Sequence, residues 1–151
     1  MKNLIKKYSV FAVIGTLIAL NTNISLAEKS VTIEDVSSAG FSSPIIQPPT
    51  DDGNYPGSAT YFWVGNNTAR SPAKNLVMVS SVNMPKNTQN LFSYGASQKD
   101  FPVSGGKGLE AILGGARTAI NFLKNGIYVV IIGPNAAETE TLATIVASKI
   151  K

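Results

Sequence analysis

The sequence predicts a small α+β domain, a mostly antiparallel β-sheet (meander) with a C-terminal α-helix packed on one face, after a cleaved signal peptide. Three observations carry this prediction. Short β-branched and aromatic runs recur between Gly, Asn and Pro turn signals. An unbroken apolar run, Ile127 to Ile132, follows the hairpin signal Asn125-Gly126. The last 15 or so residues have helical spacing with a capping residue at their start.

The N-terminus has the order of an export signal. Lys2, Lys6 and Lys7 precede the uncharged run Ser9 to Leu20, and Ser25-Leu26-Ala27 sets small residues where signal peptidase requires them. The domain plan is therefore 1–27 signal peptide and 28–151 one small domain. A membrane-spanning helix needs roughly 20 apolar residues. The 12 residues from Ser9 to Leu20 fall short, so no membrane anchor is expected after cleavage. The expected location is the periplasm or the extracellular space.

Cleavage removes three of the 13 Lys and Arg residues and none of the nine Asp and Glu residues, leaving ten cations against nine carboxylates, or +1. A chain so nearly neutral is not expected to bind nucleic acid. With no cysteine, no disulfide is available, and the 124 residues from Glu28 to Lys151 must be held by burial.

From Glu28 to Val36, Val31 and Ile33 read as a strand, and a Pro/Gly-rich loop is expected at 37–57. Ala59 to Val64 and Leu76 to Val82 read as antiparallel strands. Pro85 opens a short helix reaching Phe92. The segment 109–123 has two readings. Two strands turning at Gly114-Gly115 are favoured, because two glycines inside a helix cost about 1 kcal/mol each relative to alanine. The other reading is an amphipathic helix with Leu109, Ile112, Leu113, Ala116, Ile120 and Leu123 on one face. Ile127 to Ile132 reads as a central strand covered on both faces. Asn135, three residues before Glu138, caps a helix reaching Ile150, with Leu142, Ile145, Val146 and Ile150 inward.

Gly106-Lys107-Gly108, Asn125-Gly126-Ile127-Tyr128, Gly133 and the closing Ile145-Val146-Ala147 share their order and spacing with a known pattern. Over 103–150 the chain resembles small extracytoplasmic domains of unknown function found in anti-sigma-factor-like bacterial proteins. That resemblance implies a meander closed by a packed helix.

Without histidine or cysteine, the usual general base, the reactive thiol and nearly every zinc or copper ligand set are missing. Ser104 and Lys107 have S-x-x-K spacing but lack the companion motifs of penicillin-recognising enzymes. Gly106-Lys107-Gly108 lacks the βαβ setting of a dinucleotide site. Asp51-Asp52-Gly53-Asn54 reads as a turn rather than a calcium loop, and Asn66-Asn67-Thr68 as a turn. No catalytic residue, metal site or cofactor is expected.

The expected function is a non-enzymatic binding or interaction module of the bacterial envelope, with a small apolar ligand or a protein as partner. Alternation along Ala59 to Val64 sends Tyr61 and Trp63 to one face and Phe62 to the other. Tyr61 and Trp63, with Tyr55 on the long loop, are the candidate ligand-binding residues. The alternative is a surface-assembly protein that pairs through strand edges.

Overall fold

The structure is a computed structural model, and it describes residues 31–47, 59–65, 71–84, 98–114 and 117–151. The strands are β1 (Ile45–Gln47), β2 (Ala59–Trp63), β3 (Leu76–Asn83), β4 (Gln98–Phe101), β5 (Gly106–Leu113), β6 (Arg117–Lys124) and β7 (Ile127–Gly133). The helices are α1 (Ile33–Ser38), α2 (Pro72–Asn75) and α3 (Ala136–Lys149). The seven strands among the described residues form one antiparallel sheet in the order β1-β2-β3-β7-β6-β5-β4. Two meanders, of three and four strands, are joined where β3 pairs with β7. The α+β class and the C-terminal helix packed on the sheet are as the sequence predicts.

The register sorts the side chains onto two faces. Ile120 lies opposite Ile131, and Ile131 opposite Val79. With Phe62, Val77, Phe122 and Val129 they form the core beneath Leu142, Val146 and Ile150 at the C-terminal end and Val36 and Phe41 at the N-terminal end. On the other face Tyr61, Met78, Ile132, Ala119 and Ala111 make one row across five strands. Tyr128, Val129, Val130 and Ile131 are all buried, so β7 is covered on both faces, as its continuous apolar run predicts.

Local chemistry explains the agreements. Asn125 and Gly126 have φ of 50° and 78°, the positive pair that a primed hairpin turn between β6 and β7 requires. Residues 109–123 fall in β5 and β6, so the two-strand reading holds and the helix does not. The Asn135 side chain accepts from the Glu138 N–H at 3.1 Å and starts α3. Leu142, Val146 and Ile150 are buried beneath it, and Ile145 is partly buried.

Two local expectations are corrected. Ile33 begins a helix, not a strand, because Thr32 and Asp35 form a capping box: Asp35 N–H donates to Thr32 Oγ1 at 3.3 Å and Thr32 N–H to Asp35 Oδ2 at 2.8 Å. Within the expected 37–57 loop, Ile45–Gln47 forms an edge strand directly after Pro44. Two β-branched residues favour it, and an edge position tolerates Pro44, which has no N–H to donate, just before the strand. The predicted signal peptide, Tyr55 and the Pro85 to Phe92 helix lie outside the described residues. Among the described residues no helix is long and apolar enough to cross a membrane.

Candidate functional site

β2 delivers the aromatic pair to the side of the sheet away from the core. Phe62 is fully buried in the core, whereas Tyr61 and Trp63 lie on the opposite face. Trp63 sits between Ile45 of β1 and Leu76 of β3, and Tyr61 between Gln47 and Met78. The structure thus brings two of the three candidate residues together, with unequal access. Tyr61 is buried, and Trp63 stays half-buried beside Ile45, which is 43% exposed. Ile46 turns to the other face and is 51% exposed. Sequence reasoning passed over both isoleucines, because they stand in a proline-flanked stretch that reads as loop. The chain itself is uncharged from Val36 to Thr50 and from Gly53 to Ala69, but Arg117 of β6 brings a guanidinium beside the patch, donating to Leu76 O at 3.3 Å.

The two sheet edges differ in their protection. β1 is three residues long, uncharged and preceded by Pro44. β4 carries Lys99 and Asp100, the charged kind of edge that resists pairing with another chain. Lys99 also reaches inward. Its Nζ lies 3.1 Å from Glu110 Oε2 and 3.3 Å from Glu140 Oε1, linking β4 to β5 and α3.

Glu110 is a buried carboxyl on the core-facing side of β5, in one row with Lys99 and Ile120. The sequence holds no local sign of this, because Glu110 is partnered only once three distant elements meet. Burial pushes its carboxyl above the ordinary 4.5, and the neighbouring Glu140 adds to the rise against the pull of Lys99. The Lys99 ammonium is held above its ordinary value by hydrogen bonds to Glu110 and Glu140. A raised carboxyl binds its proton more readily folded than unfolded. The contribution of Glu110 to stability therefore grows as pH falls from neutrality towards 4.5. Glu110→Gln is expected to flatten this rise when urea unfolding is followed from about pH 8 to about pH 5. A variant with the wild-type slope would assign the rise to another group.

Gly106-Lys107-Gly108 runs within β5, so Lys107 does not stand one helical turn from Ser104, and no helix starts there to cradle a pyrophosphate. Among the described residues no cluster of acidic side chains is arranged to hold a metal ion. The turns expected at Asp51 to Asn54 and Asn66 to Thr68 lie outside the described residues.

Fold and surface together define an α+β domain built on a single antiparallel sheet, with an exposed apolar patch at one edge. Comparison with protein-family models, with curated proteins and with solved structures found no match.

Proposed function

We propose that the chain is an exported, non-enzymatic interaction module of the bacterial envelope that holds a partner protein on the Ile45, Ile46 and Trp63 patch. The exposure of two isoleucines on opposite faces of one edge strand carries this reading. A small apolar ligand needs a concave wall, whereas a partner chain wrapping the edge covers both side chains at once. The leader-like N-terminus and the resemblance over 103–150 support an envelope location. The absence of histidine and cysteine supports a role in binding rather than catalysis.

A second reading, assembly of copies through strand edges, is favoured by the uncharged outer edge of β1. It is limited by the three-residue length of that strand.

Native mass spectrometry on the chain taken from its own source, beside a Trp63→Ala variant, separates these readings. The expected result is a mass beginning at Glu28 with a stoichiometric partner. Trp63→Ala should weaken that complex by about 30-fold, the loss typical of a tryptophan anchor, while circular dichroism stays unchanged. A constant small adduct would replace the partner with a ligand. Multiples of the chain alone would select assembly, and a complex indifferent to Trp63→Ala would remove the patch.

A further inference from the structure

The end of the sheet where β7 turns into α3 holds a cleft of about 430 Å³, away from the sheet face that carries Trp63. It lies between the α1–β1 loop, the ends of β2 and α2, and the start of α3. Its walls are apolar where Phe41, Val64 and Pro134 contribute.

Backbone hydrogen bonds hold the cleft in shape. Gly65 N–H donates to Ser42 O at 2.6 Å and Val64 N–H to Asn75 O at 2.8 Å. The Asn75 side chain donates to Val64 O at 3.0 Å and accepts from Ser71 N–H at 3.1 Å. Three chain segments are thus tied together before any ligand arrives, which lowers the ordering cost of binding.

Two opposite charges line this cleft, Lys74 at the end of α2 and Glu138 in the first turn of α3. Lys99 is paired with Glu110 and Glu140, and Lys149 with Asp35. Among the described residues the side chains of Lys74 and Glu138 enter no such pair, with each other or with a third group. Gly40 makes room for Glu138: it has φ of +103°, and a Cβ there would stand 3.1 Å from Glu138 Cγ.

We propose that this cleft binds a small zwitterion of amino-acid to dipeptide size. Lys74 takes the carboxylate, Glu138 takes the ammonium, and the apolar body lies against Phe41, Val64 and Pro134. The volume lies within the roughly 300 to 1,000 Å³ usual for small-molecule sites. A molecule with both charges satisfies two side chains that have no ionic partner among the described residues, which an ion of one sign does not. This site is independent of the β1–β2 patch.

The test is an amide NMR titration of the full chain with the dipeptide alanyl-phenylalanine, its N-acetyl form and its C-terminal amide. Saturable shifts are expected at Ser42, Gly65, Asn75 and Glu138, with each blocked form binding about fivefold weaker, the upper range for one solvent-accessible ion pair. Lys74→Met should abolish discrimination against the amide, and Glu138→Gln discrimination against the acetyl form. Both side chains reach solvent, so unchanged spectra elsewhere will verify the fold of each variant. No saturable shift, equal binding of all three probes, discrimination that survives both variants, or shifts confined to β1 and β2 would overturn the proposal.

Discussion

Phe122→Ala is expected to lower the unfolding free energy by about 3 to 5 kcal/mol, the range for deleting a buried ring from a core that collapses only partly. Phe122 is fully buried on β6, opposite Val129 of β7 on one side and Gly108 of β5 on the other. Phe101 stands across Gly108 in the same row, so the two rings flank a position without a side chain. Nothing at Gly108 can move in to fill the hole. For a domain of this size the loss corresponds to a fall in Tm of about 10 to 15 °C. Urea unfolding checks it, as a lower midpoint at constant slope. A loss below about 1 kcal/mol would mean that the ring is not packed as the register requires.

Asp35→Ala is expected to cost about 2 to 4 kcal/mol, through two effects on one carboxylate. Asp35 Oδ2 closes the capping box of α1 by accepting from Thr32 N–H at 2.8 Å. The same atom lies 2.5 Å from Lys149 Nζ, which ties the first short helix to the last turn of α3. Asp35→Asn keeps an acceptor for the cap and loses the charge, so it should cost about half as much. Burial acting alone would raise the Asp35 carboxyl. Lys149 and the Thr32 hydrogen bonds outweigh burial and hold it below the ordinary 3.8. The unfolded chain then binds this proton more readily than the folded one. The contribution is fully present above 3.8 and is lost as pH falls through the lowered folded value. Asp35 and Glu110 thus act with opposite signs: stability rises from neutrality into mild acid and falls in strong acid. Urea midpoints for Asp35→Asn that still fall like the wild type below 3.8 would assign the acid loss elsewhere.

Much of the sheet was legible in the sequence, and the reasons are local. The β6–β7 turn follows from the tolerance of Asn125 and Gly126 for positive φ, and α3 from the cap at Asn135 with its apolar spacing. Alternation alone placed Tyr61 and Trp63 opposite Phe62. The same alternation misled at Val31 and Ile33, where too few residues define a period. The decisive signal there was Thr32 with Asp35 three residues later.

The candidate sites were less legible. Tyr61 and Trp63 were found by their chemistry, yet their unequal burial depends on neighbours such as Ile45, Leu76 and Met78, which pairing brings beside them. Lys74 and Glu138 share a cleft only because β2, α2 and the start of α3 end at the same place in the fold.

By itself the sequence determined the α+β class, the β5–β6–β7 meander and the closing helix, because turn conformation, capping and side-chain alternation act over a few neighbouring residues. Only the tertiary structure decided that β3 pairs with β7, that β1 and β4 become the edges, and that Glu110 meets Lys99 and Glu140. Those outcomes depend on long-range pairing, where burial and hydrogen bonding offset the entropy of closing long loops, and no local stretch of chain carries that balance.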